Sequence, residues 1–311
     1  MLTPRLFLSG FLLVTALPLV EPAKLLSAYV GAVDFLSILF RPVTNCNPAE
    51  GFRSDGMPVT FDLSVDKSSI AADQFAITSN GQVILAKCAT LEPADEPGEG
   101  HTVLLTGNFV FKESEDSLII PTMVEVVQSA STGKDLMSEN GTSLTGLSTT
   151  NIKLGSRDGP SLALAFWYPD LGTNGRVQVV FEGGVTTNED GDLTDETLTH
   201  FFLIDGAGNR TNPIGFGDLG DGDNYLFLDL PADFNGVPVS VELEAGILFD
   251  PMNYPNPLTS VDVQEGVYNY TAIGETSAGK RYVQSILSRS YNFDLDSLVD
   301  LLGVSIFLNS W

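Results

Sequence analysis

The chain carries the same arrangement of short alternating strands and polar turns twice. In the first copy, an alternating strand at 59–63 leads to a second strand at 75–78 and a turn at Asn80-Gly81. In the second copy, the alternating pattern at 177–181 matches 59–63, and 201–204 matches 75–78, although the residues themselves differ. A period of two indicates strands with one buried face. Several short strands at this spacing favour a sandwich or barrel over a parallel α/β sheet.

This repeat predicts an all-β fold with two tandem antiparallel β-sandwich domains. We expect them at 42–148 and 161–266, with a linker at 149–160 between them. The length of 311 residues fits, because single domains rarely grow much beyond 250–300 residues. The C-terminal extension, 267–311, has apolar residues near helical spacing and is predicted to contain an amphipathic helix.

The N-terminus, 1–23, has the pattern of an export signal. Arg5 supplies a positive charge, and the apolar run at 6–20 follows it. The run is shorter than the roughly 20 residues that a membrane span needs. An uncleaved anchor is the alternative. After it comes a second apolar segment, 24–41, which we interpret as a helix packed on the body of the protein.

The chain has two cysteines, Cys46 and Cys88, both in the first predicted domain. In an exported protein such a pair normally oxidises. A bridge between them would stabilise the folded state by about 3–4 kcal/mol on the loop-entropy model. A pair of buried free thiols is the alternative.

The charge balance restricts the partners. The chain has 40 acidic and 15 basic residues, a formal net charge of -25. Such a surface repels phosphate backbones, so nucleic acid is not expected as a partner. Divalent cations, basic partners or a salty medium fit better, and solubility alone is the alternative explanation.

The positions of turns and strand ends in the first copy resemble those of a known family. The residues that carry the resemblance are Val43-Thr44, Asn47 to Gly51, Phe61, Ala72 to Phe75, Asn80-Gly81 and Asp135 to Gly141. This layout resembles the Ig-like modules of bacterial cell-surface proteins, the S-layer-associated type in particular, over 42–148 and less well over 161–263. The resemblance implies sandwiches of about seven strands that act as spacer, stalk or adhesion modules without catalytic residues. The acidic loop at 92–100 and the terminal segments depart from the pattern.

Two acidic loops in the second copy place oxygen ligands close together, as loops that bind hard cations do. The candidate calcium ligands are Asn188, Asp190, Asp192, Asp195, Asp218, Asp221 and Asp223. The first loop matches an EF-hand only in part, because Thr199 stands where the bidentate Glu is expected. Ordinary solvated turns are the alternative, since Asp-Gly is a common hairpin signal.

Catalytic machinery is not evident in the sequence. His101 and His200 are the only histidines, each stands just before an apolar strand, and the chain has no Gly-x-Ser-x-Gly elbow. We therefore expect a secreted or cell-surface structural or adhesion protein that is not an enzyme. Its expected partners are other extracellular proteins or glycans, with calcium as the expected ion.

A carbohydrate-binding or carbohydrate-active protein is the second hypothesis. Phe166, Trp167 and Tyr168 would supply a sugar-stacking platform, although core packing is the favoured interpretation of these aromatic residues. If the source glycosylates exported chains, the sequons at Asn140, Asn209 and Asn269 are acceptors.

Overall fold

A computed structural model describes residues 22–36, 54–94, 98–114, 117–187, 193–217 and 223–266. Strands are the main regular structure of these residues and helices are few, which confirms the all-β fold class. The strands up to residue 154 are β1 (Leu25–Val30), β2 (Ala32–Leu36), β3 (Ser54–Phe61), β4 (Phe75–Ser79), β5 (Gln82–Leu85), β6 (Cys88–Thr90), β7 (Thr102–Gly107), β8 (Phe111–Ser114), β9 (Ser117–Ile119), β10 (Met123–Val126), β11 (Ser148–Thr149) and β12 (Ile152–Leu154). We call this part module one.

The remaining strands form module two. They are β13 (Leu162–Tyr168), β14 (Arg176–Phe181), β15 (Phe201–Asp205), β16 (Arg210–Thr211), β17 (Gly215–Phe216), β18 (Tyr225–Asp229), β19 (Pro238–Leu243) and β20 (Thr259–Glu265). The described helices are short: two 3-10 turns at Lys67–Ser69 and Ala72–Gln74, and the helices α1 (Gly155–Asp158) and α2 (Asp195–Leu198).

Module one has two main sheets that face each other across one core, and β8 and β9 form a separate two-stranded sheet. The first has the order β12-β1-β3-β7-β6, with β2 also paired to β3, and the second has the order β11-β10-β4-β5. Phe61 of the first sheet and Phe75 and Ile77 of the second are fully buried in the same apolar cluster. The period-two pattern is therefore explained by a shared interior between the sheets.

Module two has one continuous path of strands, β16-β15-β19-β20-β13-β14-β18-β17. The path turns from one side of the core to the other at β20. The first half of β20 pairs antiparallel with β19, where Val261 is opposite Val241. Its second half pairs parallel with β13, where Val263 is opposite Ala165. A single strand thus closes the module by changing its neighbour halfway along.

The two modules have the same strand order. In module one the stretch β11–β12 does what β20 does in module two, pairing first antiparallel with β10 and then parallel with β1. The registers also correspond. Leu25 is opposite Phe61 in module one, and Leu162 is opposite Phe181 in module two, each just before a register shift. The repeat found in the sequence is therefore matched by an equivalent pairing of strands.

One detail of the predicted repeat is wrong. Phe181 corresponds to Phe61 rather than to Leu63, because both phenylalanines end the equivalent strands, so the sequence match was shifted by two residues. The turn at Asn80-Gly81 is confirmed. Asn80 has φ of 48° and Gly81 of 69°, as the two-residue hairpin between β4 and β5 requires.

The helical interpretation of 24–41 is wrong over its described part, which forms β1 and β2. β1 is buried along nearly its whole length, so its sequence does not show the alternation of a strand with one exposed face. β1 and β12 lie outside the expected range 42–148, yet both belong to module one. The expected linker, 149–160, includes β12 and α1. Most of the predicted export signal and the predicted C-terminal helix lie outside the described residues.

Candidate functional site

A group of buried polar residues lies where the two modules meet, and we call this region the junction. It is built on β13, β14 and β18, which are buried on both faces. In β13, Ala165 packs into the core of module two, whereas Leu164 and Phe166 point the other way and join a separate apolar cluster. That cluster consists of Ala94, Leu164, Phe166, Tyr168, Val180, Tyr225 and Phe227. Ala94 belongs to module one, so the cluster is shared between the modules.

The segment 98–102, which includes the end of the acidic loop, supplies three hydrogen bonds from module one. The side-chain amide of Gln178 donates to the carbonyl oxygen of Gly98 at 3.2 Å. The backbone N–H of His101 donates to the hydroxyl oxygen of Tyr225 at 2.8 Å. Asn224 donates through Nδ2 to Thr102 Oγ1, also at 2.8 Å. The end of the acidic loop and the residues that follow it therefore bind the second module.

His101 is a packing group in this junction. Its ring stacks on that of Phe166 with 4.7 Å between centroids, and Nδ1 lies 3.2 Å from the carbonyl oxygen of Phe61. Burial lowers the pKa of His101 to about 4. The imidazole is therefore neutral at ordinary pH, with Nδ1 as the donor to Phe61. The second histidine, His200, lies nearer the surface, and its Nδ1 is 2.8 Å from Glu244 Oε2.

A second part of the junction holds buried carboxyl groups. Tyr29 donates through its hydroxyl to Asp250 Oδ2 at 2.9 Å. The other oxygen of Asp250 accepts the backbone N–H groups of Met252 and Tyr254, each at 2.9 Å. Burial raises the pKa of Asp250, and burial with the negative charge of Asp250 raises that of Tyr29. Both groups are held in their neutral forms more strongly than in water.

Glu182 lies beside this pair and makes an ion pair with Lys153, with 2.7 Å between Oε2 and Nζ. Only 5% of Glu182 and 1% of Asp250 is exposed. Burial raises the pKa of Glu182, while Lys153 acts in the opposite direction. Desolvation therefore outweighs the attraction of the lysine. The contacts of Tyr29 with Asp250 and of Lys153 with Glu182 each join residues of different modules. The arrangement therefore fixes one module against the other.

Only two of the predicted calcium ligands, Asp195 and Asp223, lie among the described residues. Asp195 is exposed in the first turn of α2, and Asp223 is buried with Oδ1 accepting the backbone N–H of Tyr225 at 2.7 Å. Within the described ranges, no group of three or more His, Cys, Asp or Glu residues is arranged to hold a metal ion. The ligands outside those ranges are Asn188, Asp190, Asp192, Asp218 and Asp221. Calcium binding stays a prediction.

The described residues include one of the two cysteines and two of the three sequons. Cys88 begins β6 and is half-buried, and no described cysteine is free. Cys46 lies outside the described residues, so the pairing stays a prediction. Asn140 and Asn209 are exposed in turns, and Asn209 donates through Nδ2 to Asp205 Oδ2 at 2.8 Å. The third sequon, Asn269, is not among the described residues.

The aromatic run does not form a sugar-stacking platform. Phe166 and Tyr168 are buried in the junction, so this interpretation is wrong for them. Trp167 points to the opposite face and packs against the core of module two. Its ring lies over Gly175, where φ is +90° and an added Cβ would be 1.9 Å from the indole. Core and junction packing account for all three aromatic residues.

Sequence reasoning missed the junction itself. Its signal was present in the apolar run that opens module two, because a strand that is apolar at consecutive positions is usually covered on both faces. None of the described helices is long and apolar enough to cross a membrane.

Comparisons with known proteins give limited similarity. No family model and no curated protein matches the sequence. Among solved structures, the chain is similar to the S-layer protein rSbsC(31-844), at 15% identity and a TM-score of 0.26, over 80% of this chain and 26% of that one. It is similar to the N-terminal part of the bacterial S-layer protein SbsC, at 15% identity and 0.25, over 78% and 44% of the two chains. A thermostable esterase matches at 13% identity and 0.26, over 57% and 44%. This chain thus spans less than half the length of each, and similarity at this level assigns neither a family nor a function.

Proposed function

We propose that the protein is a non-enzymatic structural component of the extracellular space or cell surface, in which two Ig-like β-sandwich modules act as one rigid unit. The observation that carries the proposal is the junction. β13, β14 and β18 are buried on both faces, and side chains from both modules fill the space between them. A fixed connection of this kind suits a spacer or stalk that holds its ends at a set distance.

Buried hydrogen bonds support a single orientation of the modules. The contacts of Gln178 with Gly98, of Asn224 with Thr102 and of Tyr29 with Asp250 all cross the junction. Rotation of one module against the other would leave buried polar groups without partners, at a cost of about 1–3 kcal/mol for each group. The apolar cluster alone would tolerate sliding more easily than these directional bonds.

The equivalent strand order of the modules supports the Ig-like assignment. Each module closes with a final stretch that pairs antiparallel with one neighbour and then parallel with the first strand. The N-terminal signal pattern supports export, and the net charge of -25 suits a soluble surface in the extracellular medium. Other extracellular proteins or glycans are the proposed partners.

Rigidity is tested by measuring the distance between spin labels in the two modules. The exposed positions Ser148 in β11 and Gln264 in β20 would be changed to cysteine and labelled. We expect one narrow distance distribution. The double change Phe166→Ala and Asn224→Ala should broaden it, whereas Ile214→Ala, at an exposed apolar position, should not. A broad distribution in the unmodified protein would overturn the rigid-unit proposal.

The absence of enzymatic activity is tested with ester, glycoside and peptide substrates. Turnover that disappears on mutation of one carboxyl group would contradict the structural role. A glycan array tests for glycan binding, which the second hypothesis requires and the proposed structural role does not.

A further inference from the structure

β5 is an edge strand with an apolar exposed face. Among the described strands it ends its sheet, with β4 as its only neighbour. Ile84 points toward the core of module one, whereas Val83 on one side of it is 68% exposed and Leu85 on the other is 49% exposed. An edge strand offers unpaired backbone groups, and apolar side chains on such a strand favour pairing with a further strand.

The equivalent edge of module two is protected. Arg210 in β16 occupies the position of Val83, since it is opposite Ile204 as Val83 is opposite Thr78. Its guanidinium group lies 3.9 Å from the ring centroid of Phe202, and Nη2 is 2.8 Å from Glu242 Oε2. A charged side chain on an edge strand opposes association. Of these two equivalent edges, β5 is therefore the one that lacks this protection.

Charge indicates which partner β5 can accept. The chain has 40 acidic residues, but none lies between Asp73 and Glu92, a stretch that contains β4, the turn, β5 and the cationic Lys87. Two copies of a chain with a net charge of -25 repel each other over most of their surfaces. At β5 they can approach without placing carboxylates opposite one another.

We propose that β5 pairs antiparallel with β5 of a second copy of this chain. A register centred on Ile84 places Val83 opposite Leu85 of the second copy on the same face, because opposite residues in an antiparallel pair share a face. The pairing joins the two four-stranded sheets into one sheet across a two-fold axis. It goes beyond the proposed structural role and does not depend on it.

The experiment is sedimentation velocity from low micromolar to millimolar protein. We expect a monomer–dimer equilibrium that shifts toward dimer at higher salt, because salt screens the repulsion between the acidic copies. Val83→Lys and Leu85→Lys should each raise the dissociation constant of the dimer by about tenfold or more. Each variant places one lysine per copy, and so two per dimer, at the paired edge, where charge opposes association. Val239→Lys is the matched control, at a valine of β19 that is 45% exposed. Circular dichroism checks that each variant is folded.

Three outcomes would overturn the proposal. The first is a monomer over the whole concentration range. The second is a dimer that persists in both β5 variants. The third is a dimer that Val239→Lys weakens as much as they do. If the monomer nevertheless shows slow hydrogen exchange in β5, another segment of the chain covers this edge, and pairing between copies is likewise wrong.

Discussion

Tyr29 in the first described strand donates a buried hydrogen bond to Asp250 near the end of module two, across 221 residues of sequence. Tyr29 is 1% exposed, and an added Cβ at Gly183 would be 2.6 Å from its ring. The ring therefore fits between the modules where only glycine leaves room. This contact connects the start of one module to the closing loop of the other.

Tyr29→Phe tests the contact. Loss of the hydroxyl leaves the buried carboxyl group of Asp250 without one of its donors, so we expect the free energy of unfolding to fall by about 1–3 kcal/mol. Urea denaturation measures the change. Tyr254→Phe is the control, because its hydroxyl makes no hydrogen bond to the described residues. Equal losses in both variants would contradict the role of Tyr29.

Glu182→Gln should change the pH dependence of stability. A carboxyl group whose folded-state pKa is raised stabilises the fold most below its unfolded pKa of about 4.3 and loses that contribution as pH rises through the folded value. Glutamine removes this loss. The variant should therefore gain stability relative to the unmodified protein as pH rises from about 4 to 7. Asp250→Asn should change stability with pH in the same direction. Denaturation curves at each pH measure the effect, and a difference in unfolding free energy that stays constant across this range would contradict the inference.

His101→Phe should have the opposite dependence. The folded pKa of about 4 lies below the ordinary value of 6.5, so the stability from neutral His101 is complete above pH 6.5 and is lost as pH falls toward 4. The loss amounts to about 3 kcal/mol. Phenylalanine keeps the ring but cannot be protonated, so the advantage of the unmodified protein at pH 7 should shrink on acidification. An NMR titration midpoint for His101 above pH 6 would contradict this prediction.

Millimolar calcium should raise the melting temperature of the protein if the acidic loops bind it. At a hundredfold excess over the dissociation constant, the ion stabilises the folded state by about 2.7 kcal/mol. Sodium at equal ionic strength should have a smaller effect, and Asp190→Asn with Asp221→Asn should remove the difference. Equal shifts with calcium and sodium would show that the loops are ordinary turns.

The alternation of apolar residues was enough to locate most strands with one exposed face. Phe75 and Phe201 were correctly matched, and both lie opposite the final apolar residue of the neighbouring strand. The match of Phe181 with Leu63 failed because alternation continues past the end of β3 and does not mark where pairing stops. β1 was misread because a strand covered on both faces does not alternate.

The junction was harder to predict because its residues become neighbours only in the folded chain. Phe166 was interpreted from its own strand, and nothing in that strand identifies His101 as the ring that stacks on it. Glu182 and Asp250 belong to an acidic chain in which most carboxyl groups are solvated, so composition does not single them out. Long-range pairing decides which acids are buried.

The parallel pairing of first and last strands has a mechanical consequence. In module two, the chain enters at the start of β13 and leaves at the end of β20, and these strands are parallel neighbours. Tension applied to the two ends pulls the strands past each other along their length, so their hydrogen bonds are loaded together rather than opened one at a time. β1 and β12 give module one the same geometry. Under stretching, we expect each module to resist extension until this clamp ruptures in a single step, which single-molecule force measurements would detect.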